Sequence, residues 1–152
     1  MTIERSGDIY HDSGSNRHVF YDKSSFTEYQ HIPPIKVNGF GDNLSTAAVG
    51  RGSVVLSSGT DQRIKRITLT NVLHVPAAHA NLLSQIRLDR KGIGATLKEG
   101  RVVLFKTADG SPIVHGTVHN DMYRLDLRIV APDRPTPSPT VNAIHSLGFY
   151  TA

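Results

Sequence analysis

Hydrophobic and polar residues alternate with a period of two along much of this chain, which indicates strands with one buried face. The longest predicted strand covers residues 64–75. Its two faces are expected to carry, on one side, Ile67, Leu69, Leu73 and Val75 and, on the other, Arg66, Thr68, Thr70 and His74. A second alternating stretch at 122–129 would bury Tyr123, Leu125, Leu127 and Ile129.

Shorter strands and their turns fill the rest of the pattern. Strands are predicted at 8–11, 18–21, 54–56, 101–105 and 112–118. Asp109-Gly110 is typical of a hairpin turn, and the glycine-rich segment 35–46 is typical of a longer hairpin loop. Pro33-Pro34 favours extended backbone just before that loop.

One helix is predicted after the long strand. Asn81 is its expected N-cap, Leu82, Leu83 and Ile86 give helical spacing, and Gly92 ends it. Many short strands with one short helix favour an all-β fold, a small closed β-barrel.

Composition bounds the domain organisation. The chain has 152 residues, no Trp and no Cys, so its core must rest on Val, Ile and Leu and it has no disulfides. We predict a barrel domain at residues 1–130, a Pro-rich linker at 131–140 and a short tail at 141–152. No apolar run is long enough to span a membrane, and the absence of Cys fits an intracellular protein.

The net charge and the motifs argue against several functions. The net charge is +4, without a long basic run, so nucleic acid is not the expected direct ligand. His115 and His119 are four residues apart, but they fall in a predicted strand and turn, so they do not share a helix face as metal ligands would. No phosphate-binding glycine loop precedes a helix, and no cofactor is expected.

Asp12-Ser13-Gly14 is the sharpest local signal for chemistry, because it follows a predicted strand as a compact turn. An aspartic protease needs a carboxylate that points into a cleft, a hydroxyl that bonds nearby backbone, and a glycine that lets a second backbone approach. The tripeptide alone is weak, since ordinary turns have the same composition.

Three longer segments resemble one family. IYHDSGSNRH is similar to the start of Copia-type proteases, NVLHVPAAHANLLSQIRLDRKGI resembles their central segment without a gap, and VHGTVHNDMYRLDL resembles their closing strand. These segments keep their order from residue 9 to about residue 128. The chain therefore resembles the retropepsin-like aspartic protease domain of a Copia-type LTR retrotransposon Pol polyprotein.

The resemblance implies a retropepsin-like closed barrel and a specific site. Asp12, Ser13 and Gly14 would be catalytic, and a substrate-binding flap would comprise Val37, Asn38, Gly39, Phe40, Gly41 and Asp42. Because there is one Asp-Ser-Gly, the two carboxylates that share a proton would come from a homodimer. The substrate would be the chain's own polyprotein, in the cytoplasm or a virus-like particle.

Departures from the family pattern keep a second function open. His11 stands where relatives carry an apolar residue, Ile9 replaces a Trp, and Ser15-Asn16 replaces Ala-Ser. A barrel that has lost catalysis and serves binding or assembly is the alternative, and a nucleic-acid-associated domain is a weaker third. The tail, with Leu147–Tyr150, is a further candidate for a self-processing site.

Overall fold

We describe a computed structural model of the chain, covering residues 7–37, 46–59 and 64–132, together with the backbone of 149–151. A short 3-10 helix occupies Lys23–Ser25, and the α-helix α1 occupies Gln85–Arg90. The strands are β1 Ile9–Asp12, β2 Val19–Phe20, β3 Phe26–Lys36, β4 Ala47–Ser58, β5 Lys65–His74, β6 Asn81–Ser84, β7 Ile93–Lys98, β8 Arg101–Lys106, β9 Pro112–His119, β10 Met122–Leu125, β11 Arg128–Ile129 and β12 Phe149–Thr151.

The strands join in one sheet with the order β11-β4-β5-β2-β6-β1-β10-β9-β8-β7, while β3 pairs with β4 and β12 pairs with β5. Most neighbours are antiparallel, but β1 runs parallel to β6, and both β2 and β12 run parallel to β5. The parallel β1–β6 pair aligns Asp12 with Ser84, so two strands end side by side where the candidate turn begins.

The sheet encloses two groups of buried side chains. The larger holds most of the buried aliphatic residues and extends from Ile9 to Leu127, and the smaller one centres on Val19, Leu73 and Val75. All-β architecture with one short α-helix is therefore confirmed.

Closure of the barrel by hydrogen bonds is not confirmed. In the described part of the chain, the two ends of the sheet are β11 and β7, which do not pair with each other. The short β11 offers only two residues for pairing, and the second half of β7, Thr96–Lys98, is exposed to solvent. Neither end strand therefore presents an edge suited to complete the ring.

The predicted face assignment of residues 64–75 is wrong in its second half. Ile67, Leu69 and Val72 lie in the larger core, whereas Leu73 and Val75 lie in the smaller one. The reason is Asn71, whose φ of 54° interrupts the extended backbone and shifts the alternation by one residue.

The predicted helix starts too early. Residues Asn81–Ser84 form β6, whose four residues are all buried between β1 and β2, and only Gln85–Arg90 is helical. Asn81 does not cap the helix, because its side chain bridges backbone atoms of Tyr21 and Gly7. Ser84 is the N-cap, and Gly92, with φ 80°, follows the helix as predicted.

Two strand predictions also need correction. Residues 122–129 form two strands, since β10 pairs with β1 and β9 whereas β11 pairs with β4, although the predicted inward face is right. The strand β7 was not predicted, because Gly94 and Ala95 weaken the alternation in its sequence.

Parts of the predicted flap, linker and tail fall outside the described residues. These are Asn38–Asp42 of the flap and residues 133–148 of the linker and tail. No helix in the described ranges is long and apolar enough to cross a membrane.

Candidate functional site

The turn at Asp12 is anchored by its own carboxylate. Asp12 ends β1, and its Oδ1 accepts a hydrogen bond from the amide of Gly14 at 2.8 Å. Asp12 is half-buried, whereas Ser13 and Gly14 are exposed. Across the described residues Oδ2 has no hydrogen-bond donor, so it is available to a group from outside this chain.

The loop that follows this turn is fastened to the start of α1. The hydroxyl of Ser84 donates to the carbonyl of Ser15 at 2.6 Å and accepts from the amide of Arg87 at 3.3 Å. Arg87 Nε donates to the carbonyl of Asn16 at 3.0 Å. One serine therefore caps the helix and holds the loop, which gives the turn a rigid support.

His18 lies beneath the loop with only 1% of its surface exposed. Its Nδ1 accepts a hydrogen bond from the amide of Ser84 at 3.0 Å, so the neutral ring carries its proton on Nε2. That nitrogen is buried and has no partner in the described structure. Burial lowers the pKa of His18 to about 4 from its ordinary value of 6.5, because a charged imidazole would lose its hydration there.

His11 is buried rather than turned to solvent. Its Nε2 lies 2.6 Å from Oε1 of Gln85, whose amide nitrogen donates to the carbonyl of Ile93 at 3.1 Å. The amide group of Gln85 is thereby oriented with its oxygen toward the imidazole, so His11 donates. The His11 side chain, which the resemblance marks as a departure from an apolar residue, thereby links β1 to α1 and, through Gln85, to β7.

Ser13, the second residue of the candidate triplet, makes no hydrogen bond within the described ranges. The sequence predicts that this hydroxyl bonds nearby backbone and locks the turn, but the carboxylate of Asp12 does so instead. Gly14 has room for a Cβ, since the nearest atom would be Asp12 Oδ1 at 3.4 Å. None of the described residues therefore requires glycine at this position.

The predicted flap stands on a long antiparallel hairpin. Lys36 of β3 pairs with Ala47 of β4, and the amide of Val37 donates to the carbonyl of Thr46 at 3.2 Å. Val37 is buried in the smaller core. The hairpin ladder thus continues up to the boundary of the described flap residues.

A tyrosine–histidine pair braces the base of this hairpin. His74 Nε2 donates to the carbonyl of Tyr21 at 3.2 Å, so its Nδ1 accepts from the hydroxyl of Tyr29 at 2.7 Å. Burial raises the pKa of Tyr29 and lowers the pKa of His74. The Tyr29 ring occupies the space where a Cβ at Gly50 would be, so this glycine permits the contact.

An open groove among the described residues lies away from the Asp12 turn. It is lined by the beginning of β5, by β9 and by the segment from Arg124 to Arg128, and Asp12 does not contribute to it. Among the described residues, no group of three His, Asp or Glu side chains is placed to hold a metal ion. The described residues therefore place Asp12 on a surface turn that lies outside this groove.

Sequence reasoning found the turn but missed its supports. Ser84 was readable as an N-cap, because serine directly before a short helix is a common start signal. His11, His18 and Gln85 had no local signal, since their partners lie 66 to 74 residues away in the chain.

Comparison with known proteins identifies the family. The profile described as "Pol polyprotein, beta-barrel domain" matches residues 9–93, which include β1 to β6, α1 and the Asp12 turn. No curated protein and no solved structure matched the chain. Because the match covers more than half of the 152 residues, the chain belongs to the Pol polyprotein β-barrel domain family.

Proposed function

We propose that this domain is an aspartic endopeptidase that processes its own polyprotein as a symmetric homodimer, in a Copia-type element. The observation that carries the proposal is the exposed Asp12 turn at the joint end of the parallel strands β1 and β6. Asp12 uses one carboxylate oxygen to hold the turn and leaves the other available. Membership of a Pol polyprotein family supports a polypeptide substrate of the same polyprotein.

The chemistry requires two copies of Asp12. Two carboxylates in contact cannot both ionise, so one stays protonated and the pair titrates as a unit. The ionised Asp12 takes a proton from a water, the water oxygen bonds to the scissile carbonyl carbon, and the protonated Asp12 polarises the carbonyl oxygen. Collapse of the tetrahedral intermediate breaks the C–N bond and transfers a proton to the leaving amine.

The other candidate residues have supporting roles in this scheme. Ser13 is exposed and available for a hydrogen bond across the dimer, and Gly14 leaves space for the partner's backbone. The flap residues Val37–Asp42 would cover an extended substrate that pairs its backbone with the enzyme.

The test is cleavage of a precursor that carries residues 1–152 and flanking polyprotein, at pH 5 to 7. The wild type should be cut at discrete positions and Asp12→Asn should not, because an amide cannot share the proton. Asp109→Asn is the matched control, since Asp109 Oδ1 also accepts the amide two residues later, at 2.9 Å, on an exposed turn. The proposal fails if Asp12→Asn and wild type are cut alike.

A non-catalytic assembly module is the second candidate. It is favoured by His11, whose partly buried hydrogen bond to Gln85 places a polar link directly beside the turn. If wild type and both variants stay intact while circular dichroism shows folded protein, this function replaces the first. Sedimentation of the same samples would then show whether the domain associates at all.

A further inference from the structure

Three cations and a hydroxyl from four different strands lie in one row on the outer face of the sheet. This row, which we call the basic row, crosses β7, β8, β9 and β10 through the register partners Lys98, Arg101, Thr117 and Arg124. Register partners project to the same face of a sheet. Val102, the next residue along β8, is fully buried in the larger core, so the basic row lies on the face directed to solvent.

The positive charge of the basic row is largely uncompensated. Arg124 lies 3.9 Å from Asp8, and its side chain is 39% exposed. Lys98 and Arg101 are exposed and form no ion pair within the described ranges, not even with Glu99 in the turn that joins their strands. Like charges directly opposite each other destabilise a strand pair. The fold thus maintains a repulsion between Lys98 and Arg101 that an anionic partner would relieve.

The basic row has the dimensions of a site for a polymer. Three steps between neighbouring strands separate Lys98 from Arg124, which is about 14 Å at the usual strand spacing. One phosphate or carboxylate group cannot contact cations at both ends of such a row, whereas a chain that carries its charges in series can. The sequence has no long basic run, and the row exists only because the register brings residues 98, 101 and 124 together.

The composition of the basic row favours a nucleic-acid backbone over an acidic protein surface. Protein interfaces are built around an apolar centre, whereas Thr117 is at the centre of this row and the exposed large hydrophobic residues lie outside it. Arg, Lys and Thr side chains are common donors to phosphate oxygens. The row continues into the aromatic residue Tyr10, which is half-buried against the smaller core. Contacts to phosphates should therefore dominate over stacking on bases.

We propose that the basic row binds the phosphodiester backbone of a nucleic acid without reading its sequence. Lys98, Arg101 and Arg124 neutralise phosphate groups, and the hydroxyl of Thr117 donates to a phosphate oxygen between them. The row shares no residue with the Asp12 turn or with its supports, so the site does not depend on catalysis by Asp12.

The test measures binding of a fluorescein-labelled single-stranded RNA to the full chain by fluorescence anisotropy, at increasing salt concentration. Three neutralised phosphates predict an association constant that falls roughly 20-fold between about 50 mM and 200 mM salt. The double variant Lys98→Gln with Arg101→Gln should bind roughly tenfold more weakly at low salt and lose only about threefold over the same range. Because this variant removes a repulsive pair, its thermal unfolding temperature should not fall.

The matched control is the double variant Arg90→Gln with Lys91→Gln, which removes two exposed adjacent cations near the other end of β7. It lowers the net charge by the same amount and should bind RNA like the wild type. Equal losses in both double variants would assign the binding to net charge and overturn the basic row as a site.

A second probe distinguishes the class of partner. Binding of labelled poly-glutamate without binding of RNA would overturn the nucleic-acid assignment in favour of an acidic protein, and binding of neither would leave the row as a solvated face. Asp12→Asn should bind RNA like the wild type, so failure of this proposal and failure of the proposed protease function are separate results.

Discussion

Two aspartate turns in this molecule have the same local geometry and different surroundings. In the Asp12 turn, Oδ1 accepts the amide of Gly14 at 2.8 Å, and in the Asp109 turn, Oδ1 accepts the amide of Ser111 at 2.9 Å. The Ser111 hydroxyl also donates to Asp109. The hydrogen bonds from the hydroxyl and the amide of Ser111 together lower the pKa of the Asp109 carboxyl. Both turns follow a strand and expose their middle residues.

The difference lies in what each turn is attached to. The Asp109 turn joins two neighbouring antiparallel strands, β8 and β9, and its carboxylate bonds stay within three residues. The loop of the Asp12 turn is held by side chains of Ser84 and Arg87, more than sixty residues away. The two turns share the same local hydrogen bond, so the tripeptide geometry does not distinguish them. The long-range hydrogen bonds of the Asp12 loop do distinguish the candidate site from a common turn.

The largest expected effect separates the buried strand β6 beside the Asp12 turn from the exposed end of β7. Leu83→Ala on β6 removes a fully buried side chain from the strand that pairs with His11, and should cost about 2–5 kcal/mol of unfolding free energy. Leu97→Ala on β7, where the leucine is 47% exposed, should cost less than about 1 kcal/mol. Urea denaturation of both variants measures this, and equal losses would contradict the packing of Leu83 in the larger core.

Acid should weaken the Asp12 side through His18. The unfolded chain binds a proton at this ring below its ordinary pKa of 6.5, whereas the folded chain does so only near its lowered pKa of about 4. Stability is thus complete above pH 6.5 and falls as pH drops, by roughly 3 kcal/mol at pH 4.

Denaturation midpoints in His18→Gln and His115→Gln check this pH dependence. His115 is exposed, so His115→Gln should keep the slope of the wild type, whereas His18→Gln should flatten it between pH 6.5 and 4. An unchanged slope in His18→Gln would assign the acid sensitivity to other groups.

A smaller effect should separate the serines that serve the two turns. Ser84→Ala removes a helix cap and the bond to Ser15, and should cost about 1–2 kcal/mol. Ser111→Ala removes one exposed hydrogen bond and should change stability by about 0.5 kcal/mol or less. Thermal unfolding distinguishes them, and a similar shift for both would contradict the bracing role of Ser84.

The smallest stability effect is expected at Gly14, and a comparison of Gly14 with Gly110 separates folding from association. Gly110 has φ 74°, so Gly110→Ala should cost about 1 kcal/mol. Gly14→Ala should change stability by no more than a few tenths of a kcal/mol, because a Cβ there has room. If two Asp12 turns meet in a dimer, Gly14→Ala should nevertheless reduce association and cleavage, whereas Gly110→Ala should not.

The sequence predicted elements where the hydrophobic pattern is local and regular. The strands β1, β2 and β8 and the turn at Asp109-Gly110 were placed within one or two residues, and the Asp12 turn was located by its composition. The hydrophobic pattern gave wrong predictions where the role of a residue depends on partners that are distant in the sequence. Asn81 has the composition of a cap and instead fills a buried bridge to Tyr21 and Gly7.

The supports of the candidate site could not be predicted for a related reason. His18 and Ser84 are ordinary polar residues in the sequence, and their contact exists only because β2 and β6 are neighbours in the sheet. Topology of this kind is set by the balance of many long-range contacts, which periodicity alone does not encode. Dimerisation and catalysis by Asp12 stay predictions.

Asn71 is one residue more than the neighbouring strand requires, because three steps of β5 from Leu69 to Val72 lie opposite two steps of β4 from Val54 to Gly52. Its side chain is exposed, but its φ of 54° favours Asn, Asp or Gly over β-branched residues. Deleting Asn71 would restore regular alternation, so Leu73 would stay in the smaller core and His74 would stay beside Tyr29. The chain could therefore lose one residue here without separating the base of the predicted flap from its tyrosine brace, although the same deletion in a strand without a bulge would exchange the faces of all later positions.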